Sequence, residues 1–437
     1  MNQKEPVVSK TILLPFILIT SLFALWGFAN AVTDPMVTAF KKVLELNNTQ
    51  ASLVQMAFYG GYFTMALPAA LFIRKYSYKV GVIIGLSLYA VGALLFYPAA
   101  VTEQFAFFLI GLYILTFGLA FLETTANPYI LSMGSAHNAT QRLNLAQSFN
   151  PVGLLGGLLV AQQFVLRKLQ SDDVDFASLS ESAKATIRTA DLMAIRNPYV
   201  ILGVVVIFIL VLIAVNKMPE DKEDKVHPPL WKVIKSLGEN RKYVWGVISQ
   251  VVYVGAQIMC WTYIYQYAEN IGISNEDAGN YQFIAFVLFF AGRFICTFLL
   301  KYIESGRLLF YLSIAAILAA VGTINILGIG GLYSLVLISF CMSLMFPTIY
   351  GIALDGLEED QVKIGAAGLV MAIVGGALMP TLQGMVLDLG GSGYNDVSIL
   401  GIPEVNFSFT MPLLCFVVIG IYGLWVNRNF SSKFDQS

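Results

Sequence analysis

Residues 118–132 read GLAFLETTANPYILS. They close a run that begins at Phe105 and is almost wholly apolar, yet Glu123 stands in the middle of it. A charged side chain at the centre of a membrane span costs about 2.5–3.5 kcal/mol on insertion scales, so one that persists there marks a functional position by default. Glu123 stands out in this way only if the run is a membrane span.

The composition says that it is. Of 437 residues, 57% are hydrophobic and only 12% are charged, with a mean hydropathy of +0.72; a soluble domain carries about 25% charged residues. A span needs roughly 20 apolar residues, and about twelve stretches meet that length, among them 11–33, 105–133, 142–166, 243–268 and 278–300. The first apolar run is too long for a signal-peptide core and no small-residue cleavage site follows it, so it reads as a permanent span. The expected class is an all-α membrane protein.

Basic residues orient it. Alternate loops on the side of the N-terminus hold most of the lysines and arginines, including Lys75, Lys79, Lys217, Lys232, Lys235, Lys301 and Arg428. The opposite side holds Lys41, Lys42, Arg167, Lys168, Lys184, Arg188 and Arg196, mostly in one long loop. Both termini are therefore expected in the cytoplasm. The long loop, 167–196, alternates charge with small apolar residues and reads as a surface helix outside the membrane.

A charged stretch with Pro228 and Pro229 inside it divides the spans six and six. The expected organisation is an N-terminal half over 1–216, a cytoplasmic linker over 217–242 and a C-terminal half over 243–437. Weak internal similarity, LFIRKYSYKVG against FLLKYIESGRLL and Gly156–Gly157 against Gly375–Gly376, suggests that the halves are pseudo-symmetric.

Polar residues inside the spans fall into stripes. Trp26, Asn30 and Asp34 recur every fourth position; so do Glu123 and Asn127, with Pro128 beside them; so do Tyr253, Gln257, Trp261 and Tyr265. Asn144, Gln147 and Asn150 are spaced by three. Such stripes do not face lipid, where unsatisfied amides and carboxylates are costly. They face one another, as hydrogen-bonding glue between helices, or a wet cavity. Aromatic rings with amides and carboxylates suit a sugar, whose apolar face stacks on a ring while its hydroxyls bond to the polar groups.

Other chemistries find no support. There is no GxxxxGK[ST] loop for ATP, no HExxH or GxSxG motif, and both histidines, His137 and His227, lie in loops. Cys260, Cys296, Cys341 and Cys415 fall inside spans with no metal-site spacing, as packing residues do. Net charge near zero and the lack of a basic domain disfavour nucleic acid, and neither an enzyme nor a cofactor is expected. What remains is an ion gradient working through a protonatable carboxylate. One proton crossing about 100 mV releases about 2.3 kcal/mol and one pH unit about 1.4, enough to concentrate a solute several hundredfold.

The chain resembles the major facilitator superfamily and, within it, the L-fucose:proton symporters. The resemblance runs over nearly the whole sequence, through SLFALWGFAN with Asp34, AFYGGYF, LETTANPY, RLNLAQSFN, YVGAQIMCWTYIYQYA, AGRF and FPTIYGIALDGL. It implies a bacterial inner-membrane protein that imports a monosaccharide with a proton by alternating access and acts as a monomer in lipid. It implies Asp34 as the proton-linked carboxylate near the sugar and Glu123 as the second acid. Gln147 and Asn150 become substrate contacts, and Trp26 and Trp261 become ring faces. Ala31 stands where the family pattern has Asn and Phe346 where it has Tyr, so the sugar preference is open to glucose, galactose or an amino sugar. The loop after the second span also lacks the Asp-Arg-x-Gly pattern of the superfamily. An uncoupled sugar uniporter is the alternative mechanism.

Overall fold

The computed structural model describes residues 6–44, 48–172, 179–219, 228–387 and 397–430. Within the helices the side chains of 34–42, 48–53, 55–56, 166, 172 and 275–276 are also outside the description, and Asp34 is among them. The helices in chain order are α1 (Leu13–Val43), α2 (Asn48–Lys75), α3 (Tyr78–Leu94), α4 (Phe96–Thr102), α5 (Phe105–Ser132), α6 (Ala139–Gln147) and α7 (Asn150–Val160). They continue as α8 (Glu181–Val215), α9 (Leu230–Glu239), α10 (Arg241–Thr262), α11 (Ile264–Asn270), α12 (Asn275–Leu299) and α13 (Ser305–Asn325). The last are α14 (Ile329–Met342), α15 (Met345–Leu354), α16 (Glu359–Met371), α17 (Gly375–Leu387), α18 (Glu404–Ser408) and α19 (Thr410–Phe430). Among the described residues, 11 stretches are long and apolar enough to cross a membrane; α2 adds a further helix of 28 residues. The chain is an all-helical, multi-pass membrane protein.

Two compact units share these helices: Met1–Gly134 with Phe149–Val226, and Ser135–Ser148 with His227–Ser437. In the first, α3 packs along α5, α2 along α5, and α1 along α7. The α1–α7 crossing is the closest approach that bears on the site. A methyl group added at Gly153 would fall on the Ala24 carbonyl, and one added at Gly27 on the Asn150 carbonyl, so only glycine lets these backbones meet. In the second unit α13 packs along α19, α10 against α15, α17 and α19, and α6 against α15 and α12.

Two features differ from the sequence reading. The surface helix expected over 167–196 is in its second part the start of a 35-residue helix, α8, continuous with the sixth span. Ser180 caps it by accepting from the Ala183 N–H. Asp191 in it is fully buried and takes N–H bonds from Gln170 at 2.8 Å and Ser171 at 3.1 Å. Its charge serves a turn, not solvent, which alternation alone does not reveal. The fifth span is also not one helix. Pro151 has no N–H to offer the Gln147 carbonyl, and the chain breaks at Ser148–Phe149 between α6 and α7. Pro347 stands in the same relation to Ser343, and α14 and α15 separate there.

Candidate functional site

In the first unit the carboxylate of the opening stretch sits where its sequence position suggested. Glu123 on α5 is 1% exposed, and neither of its oxygens has a hydrogen-bond partner among the described residues. α5 runs unbroken past Pro128 to Ser132. Asn127, one turn on, donates its amide back to the Glu123 main-chain carbonyl at 3.0 Å, so part of its capacity goes to its own helix.

Tyr62 on α2 is buried within electrostatic reach of Glu123. Its ring centroid lies 6.4 Å from that of Trp26 and 5.5 Å from that of Phe58. The Asn30 carbonyl oxygen is buried with no hydrogen-bond partner among the described residues, and the Tyr62 hydroxyl and Trp26 indole N–H interact with each other without reaching full hydrogen-bond geometry. Leaving a buried polar group unmet costs about 1–3 kcal/mol. Trp26 and Asn30 lie one turn apart on α1 and Trp26 neighbours Tyr62, so donors and acceptors with spare capacity gather here. Hydroxyl groups, which donate and accept at once, match that set.

Asn150 belongs to the same unit but is partly spent. Its amide donates to the Phe23 carbonyl at 3.2 Å, and Tyr89 donates to the Leu25 carbonyl at 2.9 Å, so both tie down α1 just before Trp26.

In the second unit Gln147, at the end of α6, accepts a 3.4 Å bond from Nη1 of Arg293 on α12. Both side chains are buried. The guanidinium lies 5.0 Å from the Phe289 ring centroid, and its Nε has no partner among the described residues. The break before Pro151 thus splits the expected 144–147–150 stripe: Asn144, which donates to Thr348 at 3.3 Å, and Gln147 belong to the second unit, and Asn150 to the first.

The aromatic stripe of the seventh span holds as far as Trp261. Tyr253 is fully buried and donates to the Met342 carbonyl at 3.1 Å, with its ring 6.1 Å from that of Phe346. Trp261 donates to Ser339 at 3.1 Å, and the rings of Phe286 and Phe289 stand edge-on to it at 4.9 and 5.2 Å. The polar tips of both aromatics are therefore engaged within the unit. Gln257, half-buried, lies one turn from each. Tyr265 falls beyond the end of α10, on α11, with its hydroxyl beside Gly279; the helix break carries it off the stripe.

Two residues of this geometry escaped the sequence reading. Arg293 is a cation well inside the eighth span, and the rule that singled out Glu123 applies to it equally. Tyr62 offered less, because a tyrosine in a span reads as an apolar ring until its hydroxyl is seen buried beside Trp26 and Glu123.

The sequence profile of the Major Facilitator Superfamily matches residues 16–380. An L-fucose-proton symporter of Haemophilus influenzae is 55% identical over 97% of this chain and 98% of its own length. A glucose/galactose transporter of Brucella abortus is 32% identical over 93% of this chain and 92% of its own. The crystal structure of the Escherichia coli fucose:proton symporter FucP, 33% identical, superposes with a TM-score of 0.85 over 95% of this chain and 99% of that one.

Proposed function

The chain belongs to the Major Facilitator Superfamily, a membrane transporter and not an enzyme, and from that premise we propose that it carries L-fucose into the cell together with a proton. The relatives' named activity supports the sugar and the ion. The observation that carries the coupling is Glu123, buried with both oxygens unpartnered among the described residues. A carboxylate in that setting is satisfied either by taking a proton or by accepting from hydroxyls, which are the two ligands of a sugar:proton symporter.

Asp34 shares this role on the sequence argument, and which of the two acids carries the proton is a matter for the pH dependence of exchange. The sugar-contacting candidates are Trp26, Asn30, Asn127 and Asn150 on the first unit and Gln147, Tyr253, Gln257 and Trp261 on the second; Tyr265, off the stripe, is left with its sequence argument alone. Tyr62 joins the candidates on its buried hydroxyl beside Trp26 and Glu123. Import proceeds by alternating access, with 1–216 and 243–437 as the moving halves and 217–242 as a cytoplasmic linker. The protein is a monomer in the bacterial inner membrane with both termini inside.

Uptake of labelled L-fucose into cells expressing the chain, with and without a protonophore, tests this reading. Accumulation that collapses with the protonophore supports symport; uptake indifferent to it indicates a uniporter. Failure of fucose to enter while glucose or galactose does would reassign the sugar, and Ala31 and Phe346 are the positions through which the preference would have moved.

A further inference from the structure

Helix α9 occupies part of the chain that the transport mechanism does not use. Asn240 alone separates it from α10: its N–H closes the last turn of α9 and its side chain accepts from the Tyr243 N–H at 3.1 Å, capping α10. Because Arg241–Asn270 is long and apolar enough to cross a membrane, α9 ends one residue before the stretch that spans it begins. It also meets the beginning of a second span, Glu359–Leu387. Gln361 donates to Ser236 at 2.7 Å and Leu237 lies against Gly365. A helix stretched across the ends of two spans lies along the membrane surface.

At 100° per residue α9 has three sectors. Val233 and Leu237 are 3% and 4% exposed and face the protein. Trp231 and Ile234 share a second sector and are 75% and 38% exposed. Lys232 and Lys235 form the third, followed by Arg241, and all three are exposed. Glu239 lies 3.9 Å from Lys235 and is the one carboxylate on the helix, so the exposed face keeps a net positive charge. On α10 the lipid side begins with Trp245 and Ile248, 50% and 40% exposed.

An exposed tryptophan beside lysines, on a helix held at the bilayer surface, is the pattern of an interfacial helix. We propose that α9 gathers anionic phospholipid: Trp231 and Ile234 lie in the boundary layer between headgroups and acyl chains, and Lys232, Lys235 and Arg241 face the phosphates. Each cation at an anionic surface favours it about five-fold, so α9 enriches such lipid around this corner of the protein. This inference rests on the placement of α9 at the membrane surface and is independent of which sugar is carried.

The test uses the full-length protein in phosphatidylcholine vesicles that contain the same small fraction of brominated lipid, as either phosphatidylglycerol or phosphatidylcholine. The Trp231 contribution to fluorescence is the difference between wild type and Trp231→Phe. The expected result is quenching of that contribution at least about two-fold stronger with brominated phosphatidylglycerol, with the difference lost in the Lys232→Gln/Lys235→Gln double variant. Equal quenching by the two headgroups, or persistence of the preference in the double variant, overturns the proposal. No quenching by either lipid overturns it too, because α9 would then not touch the bilayer. If Trp231→Phe fails to fold, the same comparison is made on total fluorescence of wild type against the lysine variant, and the headgroup preference must still fall.

Discussion

Replacing Glu123 by glutamine separates proton coupling from sugar binding. The two side chains have nearly the same shape, so the packing around position 123 stays filled, but glutamine has no proton to take up and release. In the wild type a proton gradient of about 100 mV and one pH unit supplies about 3.7 kcal/mol, which sets a limit of several hundredfold on sugar accumulation. With Glu123 as the proton carrier, that limit falls to one in Glu123→Gln; with Asp34 as the carrier, it does not. Both Glu123 oxygens are unpartnered among the described residues, and on the proposed assignment a sugar hydroxyl meets one of them in the loaded state. With the proton bound, Glu123 is neutral in the loaded state, so the change swaps one neutral hydrogen bond for another and costs at most about 0.5–1.5 kcal/mol, or about two- to twelve-fold in half-saturation. The assay measures two quantities in the same vesicles: steady-state accumulation under a proton gradient, and exchange of labelled for unlabelled L-fucose with none. Lost accumulation with exchange retained at weaker affinity is the expected pair. Accumulation at the wild-type level refutes the assignment of Glu123 to coupling.

Tyr62→Phe removes a buried hydroxyl whose contact with the Trp26 indole N–H falls short of full hydrogen-bond geometry. Thermal unfolding in detergent is therefore expected to shift little, while fucose half-saturation rises about five-fold. Arg293→Lys keeps the charge but loses the fork that reaches Gln147. In a double-mutant cycle with Gln147→Ala the effects on sugar affinity are expected to be non-additive by about 0.5–1.5 kcal/mol; strict additivity would show that the 3.4 Å contact has no part in binding. Gly153→Ala forces a methyl onto the Ala24 carbonyl and is expected to destabilise the first unit by about 1–3 kcal/mol, read as an earlier melting transition. An unchanged transition would mean that the α1–α7 crossing yields freely.

Hydropathy made the spans legible because burial in lipid forces long apolar helices, and charge made Glu123 legible because so little else in 105–133 is polar. Periodicity carried Tyr253, Gln257 and Trp261 onto one face because α10 is continuous through all three. The same reasoning failed where a helix stops. Asn144, Gln147 and Asn150 share a stripe only if one helix runs unbroken through Ser148 and Phe149, and it does not. Tyr265 is lost to the end of α10 in the same way. The α8 segment misled for a different cause: Asp191 is charged yet spends its charge on two backbone N–H groups, a partnership that no local pattern announces. Tyr62 and Arg293 depend on what surrounds them across helices, and the second could still have been flagged as a cation inside a span.

The most direct test of symport is external pH in a lightly buffered, de-energised suspension of cells expressing this chain when L-fucose is added. Alkalinisation absent from an empty-vector control, and abolished by Glu123→Gln, is the predicted result, because sugar and proton then enter together. Entry of labelled fucose with no pH change would contradict the account and leave Glu123 as a sugar ligand only.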